Sequence, residues 1–156
     1  MPTTRKVKGG GLVTGGGTLD QDQTLSLAAA TAAEILAGIV SAKAITPDQL
    51  AAAFGTGTSV NGTISLPGGR FMKYGGYDVA FSTEPTLSIY FDTPFPTACL
   101  RVPSIVAVNA AGSSLRDVWP QLVSKAKDHF VCVPQWTGIA STSSALDGLE
   151  YLAIGY

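Results

Sequence analysis

Thr86-Leu-Ser-Ile-Tyr-Phe-Asp92 places Leu87, Ile89 and Phe91 at every second position, with Ser88, Tyr90 and Asp92 between them. A period of two sends successive side chains to opposite faces of an extended chain, so the stretch predicts a strand with one buried face. Working outward, short apolar runs of the same kind recur at residues 63–66, 70–74, 79–82, 98–102, 105–109, 130–133 and 151–155. Turn residues separate them: Pro67-Gly-Gly69, Gly75-Gly76, Pro94-Phe-Pro96 and the hairpin-type pair Asn61-Gly62. The run Tyr151-Leu-Ala-Ile-Gly-Tyr156 reads as a strand burying Leu152 and Ile154. Many short strands with such punctuation predict a β-sandwich over residues 59–156.

Residues 11–58 are different, rich in Ala, Gly and Thr and poor in aromatics. Gly9–Gly17 reads as a flexible opening, and Leu12-Val13 and Thr24-Leu-Ser-Leu27 as short strands. Thr31-Ala-Ala-Glu34 and Thr46-Pro-Asp-Gln49 both have the spacing of a capping box, and Pro47 sits at the first helical position. Two short helices follow, the first stopping near Gly38 and the second at Gly55. Helices this short are unstable alone, and so few large apolar residues cannot build a private core. The segment needs neighbours, most simply copies of itself. The fold class is therefore mostly β: a C-terminal β-sandwich preceded by a small α/β collar with two short helices.

Only 13% of the 156 residues are charged, against about 25% in an ordinary soluble chain, and mean hydropathy is +0.27. The most apolar window, residues 25–40, is interrupted by Glu34 and Gly38 and falls short of a membrane span. Such a chain hides surface against other protein. A net charge of -1 gives no general attraction to nucleic acid. Arg5, Lys6 and Lys8 crowd the first residues, which reads as a solvated, flexible tail over 1–10 or as a peptide anchoring the chain to a larger partner. Cys99 and Cys132 lie in apolar stretches as two buried thiols, with a single disulfide the alternative. No Cys or His spacing suits a metal, and no cofactor motif is present: the glycines of 9–17 lack the Gly-Lys-Ser/Thr ending of a phosphate loop. His129, the sole histidine, has no nucleophile elbow to serve, so no catalytic residue is assigned.

Binding chemistry is better represented. Residues 110–128 and 135–148 interrupt the strand pattern longest, with a short helix allowed at 118–127, and long loops on a β scaffold commonly carry recognition. Trp119 and Trp136 lie in or beside them, and Tyr77 follows a Gly-Gly turn. Aromatic faces stack on sugar C–H faces, while Ser113 and Asp117 offer hydrogen bonds; the alternative is that the tryptophans are core.

Leu66-Pro-Gly-Gly69 leading to Tyr74-Gly75, then Phe91-Asp-Thr-Pro-Phe-Pro-Thr-Ala-Cys99, then Ala153-Ile-Gly-Tyr156 occur in that order. Together they resemble the gp53-like tail-fibre C-terminal domain family of bacteriophages and prophages, along residues 61–156. Gly15-Gly-Gly-Thr-Leu19 and Lys43-Ala-Ile-Thr-Pro47 resemble fibre segments further upstream. The family often has Trp where Tyr74 stands, a swap that keeps an aromatic. The resemblance implies a homotrimer without cofactor, located in the virion, with a phage tail or baseplate protein and a host cell-surface glycan as partners. Neither nucleic acid nor membrane is among them. On this expectation 1–10 anchors the chain, 11–58 forms a trimeric collar and 59–156 binds the receptor. A head or neck decoration without receptor specificity is the alternative, and a glycan-degrading enzyme is third.

Overall fold

The computed structural model describes residues 5–54, 59–81, 84–108, 117–137 and 146–156. The chain divides into two compact units, Met1–Thr56 and Gly57–Tyr156. In chain order the elements are β1 (Lys6–Lys8), β2 (Val13–Thr18), β3 (Leu25–Leu27), α1 (Ala32–Ala37), α2 (Pro47–Phe54), β4 (Gly62–Leu66), β5 (Arg70–Tyr77), β6 (Leu87–Tyr90), β7 (Cys99–Val108), β8 (Asp117–Lys125), β9 (His129–Thr137) and β10 (Gly148–Gly155).

In the first unit, β1, β2 and β3 form an antiparallel sheet with β2 in the centre. The sequence reading of a flexible tail and a flexible glycine run is corrected here. Lys6 and Lys8 pair with Thr18 and Gly16, and the Leu19 N–H donates to the Arg5 carbonyl at 3.2 Å. Gly15 and Gly16 hold φ of 99° and 108°, where other residues are strained. A Cβ on either would run into the Thr24 or Val7 carbonyl, so these glycines are what lets β2 take a neighbour on each side.

Helix α1 starts on the expected box. The Thr31 hydroxyl accepts from the Glu34 N–H at 3.3 Å, and Glu34 Oε2 accepts from the Thr31 N–H at 2.9 Å. Gly38, at φ 66°, closes the helix in the left-handed conformation. Lys43 Nζ reaches both Glu34 oxygens, at 2.7 and 2.9 Å, and with the Thr31 donors holds that carboxyl down at about 2. Folding therefore keeps this contribution above the ordinary carboxylate range and loses it as pH falls toward 2. At α2 the reciprocal box is not made. Thr46 Oγ1 is buried and misses hydrogen-bond geometry with every described neighbour, although its nearness is the main cause that keeps the Asp48 carboxyl below its ordinary value. Thr31→Ala should thus cost about 1 kcal/mol in chemical denaturation, the usual loss for a side-chain cap, and Thr46→Ala clearly less. Equal losses would contradict the difference between the two caps.

The first unit has almost no interior. Of its described residues only Ala30 and Ala53 are buried hydrophobics, while Leu12, Leu19, Leu25, Leu27, Ile39 and Ile45 are exposed.

The second unit is a β-sandwich. One sheet has the order β4-β5-β10-β7 and the other β6-β9-β8, all pairings antiparallel. Pro67-Gly68-Gly69 joins β4 to β5, with φ of 78° and 70° at its glycines, whereas Asn61-Gly62, expected as the hairpin, instead opens β4. The core between the sheets takes Cys99, Leu149, Tyr151 and Ala153 from the first and Leu87, Ile89, Phe130 and Cys132 from the second. Phe81, Phe91, Phe95 and Leu146 from connecting segments complete it. The alternation at 86–92 holds: Leu87, Ile89 and Phe91 are buried, and Ser88, Tyr90 and Asp92 are exposed. Phe91 and Phe95 are pinned through their N–H groups to the Asp128 and Lys127 carbonyls at 2.9 and 2.7 Å.

Three further expectations are corrected. Residues 118–127 are not helical: β8 runs to Lys125, and Pro120 is tolerated because β8 is an edge strand. The stretches expected as 98–102 and 105–109 form one strand, β7, with a register shift near Pro103. At the C-terminus the buried face is Leu149, Tyr151, Ala153 and Gly155, while Leu152 and Ile154 lie half-buried on the other side.

Lys73 is the one described buried charge, 4% exposed. Its Nζ donates to the Thr63 and Thr93 hydroxyls at 2.8 and 3.0 Å and stands 5.1 Å from the centre of the Phe95 ring. Burial lowers its pKa, opposed by the Asp92 carboxylate. Cys99 and Cys132 are free and buried; burial raises both thiols, Cys132 to about 11. Because the thiolate is the nucleophile, iodoacetamide near pH 8 should leave both unlabelled in the native protein and label both in denaturant. Rapid native labelling of Cys132 would refute its burial.

Candidate functional site

The residues singled out for binding are placed as follows. Trp119 stands on β8 and is 53% exposed. Asp117 opens β8 and Trp136 lies near the end of β9, their side chains outside the described residues, as is all of Ser113. Tyr77 ends β5 and packs, half-buried, against the core. Arg5, Lys6 and Lys8 lie at or in β1, in the other unit. Of the expected loops, β8 takes 117–125 from 110–128, and β9 and β10 take 135–137 and 148 from 135–148, while 110–116 and 138–145 lie outside the described residues.

Trp119 thus belongs to a sheet face rather than to a loop. Phe130, Cys132 and Pro134 of β9 point into the core, so His129, Val131, Val133 and Gln135 point outward. Trp119 pairs with Gln135, Gln121 with Val133, and Tyr90 with His129. The outer face therefore carries Tyr90, 66% exposed, and Trp119 as its exposed rings. The sequence reading missed Tyr90, although its alternation with buried Ile89 is the signal that would have found it. Six positions of β9 separate the two rings in register, about 20 Å at ~3.4 Å per residue. One sugar ring cannot touch both, whereas an extended chain can.

At the Tyr90 end, His129 lies 5.1 Å from the Tyr90 ring centre, tilted by 37°. His129 Nδ1 is 2.9 Å from Asp128 Oδ1, and this contact is the main cause holding the Asp128 carboxyl below its ordinary value. The pair orients the imidazole beside Tyr90. Among the described residues no three His, Cys, Asp or Glu side chains group to hold a metal ion, and no helix is long and apolar enough to cross a membrane. The chemistry that the face offers is stacking and hydrogen bonding.

Residues 65–156 match the family described as "Putative tail fiber protein gp53-like, C-terminal". Among solved structures the chain is similar to an N-truncated R1-type pyocin tail fibre, at 23% identity over 65% of this chain and 84% of that one, with a TM-score of 0.50. An R1 pyocin fibre from P. aeruginosa comprising C-terminal residues 323–701 is 20% identical over 90% of this chain and 40% of that one, with a TM-score of 0.49. An N-truncated R2-type pyocin tail fibre is 19% identical over 73% of this chain and 44% of that one, with a TM-score of 0.47. At 23% identity the likeness to the N-truncated R1-type fibre is one of fold. No curated protein matches the chain.

Proposed function

This chain belongs to the gp53-like tail-fibre C-terminal family, and from that premise we propose that it is a receptor-binding tail-fibre protein that holds a particle to a host-surface glycan. The observation that carries the reading is the outer face of the β6-β9-β8 sheet, where Tyr90 and Trp119 stand exposed on a rigid scaffold. Exposed Trp and Tyr give broad, stiff contact area with a polar end, which suits the apolar faces and hydroxyls of a sugar chain.

The active form in this proposal is a homotrimer, built by residues 11–58 as a collar. A unit whose described buried hydrophobics are two alanines, with Ile39 84% and Ile45 60% exposed, gains stability by laying those groups against copies of itself. Three weak sites per tip, and several tips per particle, then give retention by avidity. Residues 1–10 attach the fibre to a tail or baseplate protein, with Arg5, Lys6 and Lys8 as the contact; as part of a sheet, β1 presents them in a fixed geometry. The protein would reside in the virion and act without catalysis.

Adsorption of the purified protein to host cells tests the reading. Light scattering should give about three times the 16.0 kDa chain mass. The pair Tyr90→Ala and Trp119→Ala should leave folding and mass intact, since both side chains are mostly in water, and should abolish adsorption. A monomer at micromolar concentration removes the collar, and unchanged adsorption of the double variant removes this face as the receptor site.

A further inference from the structure

Strand β4 stops short of its neighbour. Its pairing with β5 ends at Gly62 opposite Tyr74, while β5 continues against β10 as far as Tyr77 opposite Leu149. On the β4 side, Gly75 and Gly76 therefore have no strand beside them. A cleft of about 250 Å³ fills the notch, lined by Val60, Tyr74, Gly75, Gly76, Asp78, Glu150 and Tyr151. Asn61 stands in for part of the missing strand: its Oδ1 accepts from the Gly76 N–H at 2.7 Å.

The strand backbone beside the cleft is glycine, Gly75 and Gly76. A Cβ on Gly75 would press on Asn61 Oδ1 and stand 2.8 Å from the Tyr151 hydroxyl; one on Gly76 would stand 3.1 Å from Asp78 Oδ1. Glycine lets polar groups close in on the strand backbone from both faces, Asn61 Oδ1 and the Tyr151 hydroxyl at Gly75 and Asp78 Oδ1 at Gly76. The Tyr74 hydroxyl, buried over Gly62, has no hydrogen-bond partner among the described residues.

The character of the cleft is one-sided. Two carboxylates line it and no cation does. Ionised carboxylates only accept hydrogen bonds, so an occupant must bring donors and carry no negative charge. Tyr74 adds an aromatic wall for a C–H face. The volume lies just below the ~300–1,000 Å³ of ordinary small-molecule sites, room for one ring rather than a chain. We infer that this cleft is a subsite for a single neutral or amino sugar unit, held by its hydroxyls or amine on Asp78 and Glu150, with acid sugars refused. The inference rests on the glycan-binding reading but places a second, separate contact on the other sheet of the sandwich.

The test is titration of the full chain with methyl glucoside, methyl galactoside, methyl mannoside, methyl glucosaminide and methyl glucuronide, read by saturation-transfer nuclear magnetic resonance. At least one neutral or amino glycoside should bind at millimolar concentration and the glucuronide should not. Asp78→Asn with Glu150→Gln should weaken that binding at least tenfold, with the melting temperature kept, because both side chains are exposed. Binding that survives the double variant, binding of the glucuronide equal to the others, or no binding by any glycoside overturns the inference. Cell adsorption of the same variant separates the two proposals: if glycoside binding survives the substitutions while adsorption through the Tyr90 and Trp119 face is kept, the cleft falls and the receptor reading stands.

Discussion

Phe130→Ala should lower the stability of the sandwich by about 3–5 kcal/mol, the usual cost of truncating a fully enclosed aromatic side chain. Phe130 is 0% exposed on β9, the central strand of its sheet. Its ring centre lies 5.2 Å from that of Tyr151, at 66°, and 6.0 Å from that of Phe91. Phe91 in turn meets Tyr151 at 5.8 Å and Phe95 edge-on at 5.0 Å. Four rings thus tie both sheets and the 91–95 segment together, and the hole left by Phe130 opens in their midst. Strands on either side hold its walls, so collapse cannot recover much of the loss. Tyr90→Ala, on the outer face of the same unit, is the control, expected within about 0.5 kcal/mol of the parent. Denaturant midpoints measure both; comparable losses from the two variants would show that the core does not lie between these sheets.

Gly155→Ala should be nearly as damaging, at or above about 3 kcal/mol, the upper end of the overpacking range. A Cβ there would drive into the Ala98 carbonyl and stand 2.5 Å from Phe95 Cδ1. Neither neighbour can move cheaply. Phe95 is 1% exposed, and Ala98 exchanges backbone hydrogen bonds with Tyr156 at 2.9 and 3.1 Å. The Ala-Ile-Gly-Tyr ending thus has a steric origin: small Ala153 and Gly155 leave room for the bulky phenylalanines opposite. Ile154→Val, on the opposite face of β10, is expected to cost less than about 1.5 kcal/mol. Thermal unfolding of the two variants checks the contrast, and a fully stable Gly155→Ala protein would contradict the close contact.

Local chemistry was readable wherever one residue's own geometry decides the outcome. The Thr31–Glu34 box, the left-handed stop at Gly38 and the turn at Gly68-Gly69 follow from hydrogen-bond reach and from the absence of a Cβ. So does the alternation at Leu87, Ile89 and Phe91, because polar residues separate the apolar ones and leave one choice of buried face. The order of the fibre-like motifs placed the C-terminal unit in its family. What tertiary structure alone decided is every choice between two faces or two partners that local pattern leaves equal. In β10 both faces are apolar, and packing against Phe91 and Phe130 selects Tyr151 and Ala153 over Leu152 and Ile154. Residues 118–125 carry Pro120 beside a tryptophan, a pattern that argues for a loop, yet the free edge of β9 turns them into a strand. The basic start became β1 only because Gly16 in β2 admits it. Tyr90 and Trp119, 29 residues apart in sequence (119 − 90), share a face only through their register with β9, and the cleft exists only because β4 ends before β5 does. Alternation fixes which side chains can share a face, but burial is a property of what lies opposite, and that is set by pairing distant in the chain.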